Sequence, residues 1–426
     1  MPRLPIRPTL GAFALTLSAC GPATTPPSSG STGAFGVVTV NGTQKMYLPV
    51  AARTGAGNAQ LAVVDVGKAG NGLSGAPALI RYIDLGTSDP ASTTGGDARS
   101  VLAASTHSDR VWLVDPQTDT LVKSATLPAA NGISNFSGGG GHVTGIALDP
   151  ERREAVLSVW NGFAVVDAVT LEQKRAIPAP ATENFAFDAA RQRVFAPFYM
   201  CEAAHGPSGE TSDACGTRTT AGVEMKEGMT VIDLSDDTVY VYQDPAAPEP
   251  DSPLGGEPDA AAVDTASQVV VVPSESGGFQ NVLDFAKASF NRADKAVTAP
   301  ARRLGEYSLE GVAIEPSRHL AFLENEFTNT VGVMALEPAL AGNGVIKMGT
   351  MPPPPGSEDG AVWANLGDPH GIAVTTSLAG GKPVGFLVDE QFRWVARVDL
   401  EKLQAIGSSN ADLPDVGEAV TFLEVK

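Results

Sequence analysis

The sequence predicts an all-β chain, a single β-propeller of four-stranded antiparallel blades, with seven blades expected and six or eight as the alternatives. Three observations predict it. One is a short strand that recurs with small residues at its centre: GIALD at 145–149, NFAFD at 184–188, AAAVD at 260–264, GVAIE at 311–315 and GIAVT at 371–375. Another is the pattern immediately after that strand. Four of the five copies end in an acid that opens a tight turn (DPERRE, DAARQR, DTASQ, EPSRH), and a β-rich run comes next, as in EAVLSVW, RVFAPFY, VVVVPSE and LAFLENE. The third is composition. The chain has 46 Gly and 32 Pro in 426 residues, too many turn formers for a helical bundle, while 43% hydrophobic residues suffice for a core.

The strand with the central alanine is the first of its blade, and the β-rich run is the second. A third strand carries an aliphatic–Asp pair, at Asp65, Asp115, Asp167, Asp233 and Asp399, and a fourth, such as KRAIPA or VYVYQD, leads to the next copy. The central alanines (Ala147, Ala186, Ala262, Ala313 and Ala373) lie 39, 76, 51 and 60 positions apart, and the 76 is one blade plus an insertion at 201–228. Upstream, KMYLPV with LAVVDV and SVLAAS with RVWLVDP supply two more blades. The second of these has a poor inner strand, which keeps six and eight open. The C-terminal strand at 420–425 is expected to share a blade with residues near 36–40, which would close the ring and remove open edges.

The first residues carry an address. Arg3 and Arg7 precede a mostly apolar stretch, 9–19, that is too short to span a bilayer, for which ~20 residues are needed. It reads as a secretory signal. Its end, Leu17-Ser18-Ala19-Cys20, resembles the lipobox of bacterial lipoproteins. The resemblance implies cleavage before Cys20, acylation of that residue and attachment to the bacterial cell envelope. Gly21 in place of an acid is consistent with an outer-membrane location, facing the periplasm or the cell surface. The expected organisation is therefore a signal peptide at 1–19, a lipidated Cys and Pro/Ser/Thr-rich tether at 20–34, and a propeller at 35–426. In an oxidising compartment Cys201 and Cys215, with thirteen residues between them, are expected to form a disulfide worth about 3 kcal/mol.

The repeat grammar, G-[IV]-A-x-D-P followed by x-V-x-V-[IV]-D, resembles that of the YVTN/lactonase-like propeller superfamily over roughly residues 35–426. The resemblance implies the fold and no particular chemistry, because propellers host enzymes, binders and scaffolds alike.

In such a blade the links from second to third strand, and from fourth strand to the next first, emerge on one face. The long irregular segments fall there, and rigid scaffolds commonly carry binding sites on such loops. Three residues before the aligned alanines stand Glu183, Asp259, Glu310 and His370, with His142 close by, all expected at the mouth of the central channel. Carboxylates and imidazoles converging on one axis are candidate ligands for a divalent Ca, Zn or Mn ion. The competing reading has these side chains bonding backbone amides of the neighbouring blade.

Lys plus Arg number 29 against 48 Asp plus Glu, a formal charge of -19, which disfavours nucleic acid and favours cationic ligands. Walker A, G-x-S-x-G, H-E-x-x-H, C-x-x-C-H and EF-hand patterns are all missing, so no catalytic residue is assigned. The sequence thus points to a monomeric, lipid-anchored binding or scaffold protein for a cationic small molecule, metal ion or partner protein. A metal-dependent hydrolase or lactonase-like enzyme, or a periplasmic metal carrier, is the alternative.

Overall fold

The computed structural model describes residues 14–15, 36–50, 58–68, 77–88, 91, 93–105, 109–127, 145–159, 162–180, 182, 184–198, 218–220, 223–225, 227–249, 251–258, 260–275, 277–305, 307–325, 328–355, 369–375, 382–389 and 394–425. Seven four-stranded antiparallel units follow one another along the chain as the blades of a β-propeller. Their inner strands are Gly36–Val40, Thr93–Gly96, Gly145–Asp149, Ala186–Asp188, Ala262–Asp264, Gly311–Glu315 and Pro369–Thr375. All five strands recognised by their central alanine are inner strands. Blade 2 escapes the pattern because its inner strand reads Thr-Thr-Gly-Gly. A Cβ on Gly95 would lie 2.5 Å from Ile146 Cγ2 of blade 3, so only glycine fits that approach.

The blades are held by what fills the seams between them. Each of the seven seams carries its own buried apolar cluster, built from one face of each adjoining blade. Runs such as Val269–Ser274 therefore read as continuously apolar. Val269 and Val271 face blade 6, while Val270 and Val272 face blade 4.

The acid that ends an inner strand organises its turn. Asp97, Asp149, Asp188 and Asp264 each accept one or two backbone N–H groups within the next three residues through Oδ1, and Glu315 does so with both oxygens. In blades 3 to 6 the last turn residue, Arg153, Gln192, Gln268 or His319, has a positive φ of 52 to 57°. Its carbonyl accepts from the amide just after the third strand: Ala168, Leu234, Phe285 or Leu336. Two of these side chains also cross a seam. Gln192 Nε2 donates to Asp149 Oδ2 (2.6 Å), and His319 Nδ1 lies 2.5 Å from Asp264 Oδ2.

Ring closure departs from expectation. The C-terminal strand Val420–Glu424 pairs with Trp394–Asp399 as the outer strand of blade 7, and Gly36–Val40 pairs with Thr43–Val50 as the inner strand of blade 1. Among the described residues no strand is exchanged between these two blades. Blades 7 and 1 meet through apolar packing of Val37, Met46, Leu48 and Val64 against Ala373, Phe386 and Val395. Gln44 Nε2 adds a buried hydrogen bond to Thr375 Oγ1 at 2.8 Å. The inner-strand acid is a threonine in this last blade, so the seam uses a neutral pair.

The outer edges are closed in two ways. In blades 1, 2 and 3 the outer strand carries a bulge that leaves Ile80, Val122 and Lys174 out of register. The next residue, Arg81, Lys123 or Arg175, reaches a carbonyl in the following blade: Thr118, Thr170 or Leu234. Blades 4, 5 and 6 are covered from behind instead. Residues 289–298, between the third and fourth strands of blade 5, form a hairpin whose Ala296–Thr298 strand pairs in parallel with Thr238–Gln243 of blade 4. Helix α1 (Leu336–Leu340) packs on the third and fourth strands of blade 5, and α2 (Leu400–Ile406) on those of blade 6. Asp399 caps α2 by accepting from the Lys402 amide at 3.0 Å.

Between blades 1 and 2, Asp119 accepts from the Tyr47 hydroxyl (2.5 Å) and from Lys45 Nζ (2.7 Å). Burial first, and the Asp119 carboxylate second, push the Tyr47 hydroxyl above its ordinary value, so it stays a neutral donor. Asp119→Ala leaves both donors without this acceptor in the seam. We expect it to lower unfolding free energy by about 3 kcal/mol in urea titration. A midpoint unmoved from wild type would show that the seam does not depend on this triad.

Candidate functional site

The links between second and third strands, and between successive blades, share one face, here called the link face. The 1–2 and 3–4 turns share the other, the turn face. The best-described part of the link face is the segment 244–258 that joins blade 4 to blade 5. Its prolines and glycines favour an irregular path, and the two blades hold that path in place. Asn281 Nδ2 donates to Leu254 O (2.8 Å), Arg303 Nη2 to Pro253 O (2.9 Å), and Ser274 Oγ to Gly256 O (2.8 Å). The Glu275 amide donates to Glu257 O (3.1 Å). Gly255, at φ 82°, lies so close to the Phe279 ring that a Cβ would stand 2.5 Å from it. Arg303 covers the same ring at 5.0 Å.

Glu227, Asp244, Glu249, Asp251, Glu257 and Glu275 all lie on this part of the face, and the segment 244–258 itself contains no Lys or Arg. Glu227 is half-buried. Burial raises its carboxyl above the ordinary carboxylate range, hydrogen bonds from Ser252 and the Glu257 amide offset part of that, and the Glu257 and Glu249 charges add to it. The turn face is different. There acids meet bases, as in Arg152 with Asp149 (2.8 Å), Arg191 with Asp188 (2.9 Å) and Lys287 with Asp284 (2.7 Å).

Among the residues expected at the channel mouth, the Glu310 side chain is described. It immediately precedes the inner strand of blade 6 and is 9% exposed. Its amide donates to Glu324 O (2.9 Å), and its Oε1 accepts from Asn325 Nδ2 (3.3 Å), which also donates to Ser308 O (2.9 Å). Glu310 is thus tied to its own blade, through a side-chain amide rather than a backbone amide of the neighbouring blade. His370 occupies the equivalent place in blade 7, at a bulge between Pro369 and Gly371 in the pairing with the second strand. The backbone therefore sets Glu310 and His370 at the same end of adjacent inner strands. Glu183, Asp259, His142, Cys20, Cys201 and Cys215 lie outside the described residues. Among the described residues no group of three or more His, Cys, Asp or Glu is arranged to hold a metal ion. Nor is any helix long and apolar enough to cross a membrane.

Three features went unread in the sequence. Glu227 lies at the end of the cysteine-containing insertion and carries no repeat signature. Asp97 is blade 2's turn acid, hidden by the Gly-Gly before it. The cross-seam donors Gln192 and His319 were legible in principle, because both end a four-residue turn at the same repeat position.

No protein-family model matches the chain, and no curated protein matches it by sequence. Solved structures of low similarity do. A Kuenenia stuttgartiensis hydrazine synthase chain is 11% identical, with a TM-score of 0.46 over 100% of this chain and 99% of that one. Kluyvelomyces marxianus Hsv2 is 9% identical, with a TM-score of 0.44 over 86% and 91%. KlAtg21, solved in complex with the coiled-coil of AgAtg16, is 9% identical, with a TM-score of 0.47 over 88% and 97%. The seven-bladed assignment stands on the sheets themselves.

Gly311 pairs with Glu324 across the first two strands of blade 6, and a Cβ on it would lie 2.1 Å from Glu324 Oε1. Gly311→Ala is expected to push that buried carboxylate aside and lower stability by about 1–3 kcal/mol. An unchanged thermal midpoint would mean that the Glu324 side chain is free to relocate.

Proposed function

We propose that the chain is a lipid-anchored, extracytoplasmic propeller of the YVTN/lactonase-like kind that binds a basic partner, a protein or peptide segment, through its acidic link face. The observation that carries this reading is the separation of charge between the two faces. Between blades 4 and 5 the link face gathers Glu227, Glu249 and Glu257, and Arg303 beside them is engaged with a carbonyl and a ring. On the turn face several acids, among them Asp149, Asp188 and Asp284, are paired with local bases. An excess of one sign on a rigid, loop-bearing surface steers a partner of the other sign and fixes its orientation. The net charge of -19 acts in the same direction.

Anchoring is the second part of the proposal. It is supported by the basic start, the short apolar stretch and Leu17-Ser18-Ala19-Cys20, and by a tether that would set the ring off the bilayer. Cys20→Ala is expected to move the protein from the detergent phase to the aqueous phase in a phase-partition assay, with the fold intact. A variant that stays in the detergent phase would refute acylation at this residue.

Binding is tested with oligolysine as the probe, by calorimetry at low and at raised salt. The expected outcome is an affinity that weakens as salt rises, and a loss of about tenfold or more when Glu249, Asp251 and Glu257 are together changed to Lys. Reversal of the exposed turn-face residue Glu151, as Glu151→Lys, serves as the control. Equal loss in the control, or no binding by wild type at low salt, would overturn the assignment of the face.

A further inference from the structure

Glu227 stands where two links meet. It is the last residue before the third strand of blade 4, Gly228–Asp233, and so ends the insertion that carries both internal cysteines. Its amide donates to Asp251 O at 3.3 Å. Its Oε2 accepts from the Ser252 hydroxyl at 2.9 Å and from the Glu257 amide at 3.3 Å. One carboxylate therefore grips both ends of the segment 252–257. Among the described residues the other side-chain and backbone bonds to segment 252–257 that come from outside it, from Asn281, Arg303, Ser274 and Glu275, belong to blade 5. Glu227 ties the segment to blade 4.

The charged groups around this attachment are mostly of one sign. Glu249, Asp251 and Glu257 belong to the segment itself, and Glu275 approaches from blade 5. Arg303 reaches the segment at the Pro253 carbonyl, and among the described residues no cation counters the Glu227 charge. We propose that Glu227 is an acid-sensitive joint: a proton gained there tightens the attachment of segment 244–258 to blade 4, and a proton lost loosens it, so that acidity sets how firmly the two links are docked together.

The direction is set by the surroundings. In the docked arrangement the ionised carboxylate loses hydration and faces Glu257 and Glu249, and the two donors restore only part of that loss. Undocked, the same group sits in water. The docked form therefore takes up a proton more readily than the undocked form. By linkage, docking is strongest below the ordinary carboxylate range and weakens as pH rises through the raised value. Protonated Glu227 still offers an acceptor oxygen to Ser252 and Glu257. The joint acts whatever the link face binds.

Amide hydrogen exchange on the full-length protein tests the joint, read by mass spectrometry on peptides covering 244–258 and corrected for intrinsic rates. Wild type is expected to show protection about threefold or more higher at pH 5 than at pH 7.5. Glu227→Gln, a neutral side chain of the same shape that still accepts, is expected to be highly protected at both values. The strand 228–233 serves as the internal reference and should not change. Equal protection of wild type at both pH values, or a Glu227→Gln protein that keeps the wild-type pH dependence, would overturn the joint. Should that variant fail to fold, Glu257→Gln removes a facing charge and keeps the amide donor. It is expected to raise protection at pH 7.5, and an unchanged value would also overturn the proposal.

Discussion

Seven wedges close into a ring only if every seam between them is filled, and among the described residues no shared strand ties the last blade to the first. Each seam must be held by side chains. The apolar clusters meet the larger part of that requirement, because the second and third strands of the blades are buried on both faces and largely apolar on both. Polar links supply alignment. Gln192 with Asp149, His319 with Asp264 and Gln44 with Thr375 all join a residue at or near a 1–2 turn to the end of the preceding blade's inner strand. At the closing seam the pair is neutral, so its hydrogen bond is less sensitive to pH than one to a carboxylate. The absence of strand exchange makes this buried seam, rather than a covalent continuity of sheet, the element on which the ring depends.

A ring of sheets also exposes seven outer edges, and unpaired edges invite association. The chain solves this differently in its two halves. Blades 1 to 3 eject a residue from the outer strand, which breaks the regular ladder, and then use the adjacent Arg or Lys to bond the next blade. Blades 4 to 6 have regular outer strands covered by insertions from the next blade along the chain. The hairpin at 289–298 goes furthest, since it continues the blade 4 sheet with two more strands. The insertion lengths in the C-terminal half have this packing as their physical reason.

Much of the fold was legible because crowding near the axis constrains sequence. Small residues suit the crowded centre of most inner strands, although blade 1 carries Val38 there, and an acid is well suited to accept the amides of the adjoining turn. Those two demands produced the visible repeat. Blade 2 was nearly lost because closer approach demanded Gly95 in place of alanine. Ring closure was misread because strands 36–40 and 420–424 have the same character wherever they pair, and register in a closed ring is set by partners distant in sequence. Residues 286–300 had no readable place, since their strands pair with a neighbouring blade. At the channel mouth the sequence identified Glu310 and His370 as equivalent positions. It did not show that Asn325 and the Glu324 carbonyl tie Glu310 down.

The two faces of the ring use acidic residues for different ends. On the turn face a carboxylate is surrounded by backbone amides and often by an Arg or Lys three residues on, so its charge is consumed in holding a turn. Asp167 shows the limit of this. Amides of Thr170 and Val169 hold its carboxyl down at about 2, and it stays ionised well into acid. On the link face Glu227 has fewer donors, more burial and like-charged neighbours, and moves in the opposite direction. A carboxylate committed to a turn leaves little field for a partner. A carboxylate left among its own kind is poised to take a proton or a cation. Local hydrogen bonding, more than total charge, therefore decides whether a carboxylate of this propeller is held ionised, as at Asp167, or pushed towards its protonated form, as at Glu227.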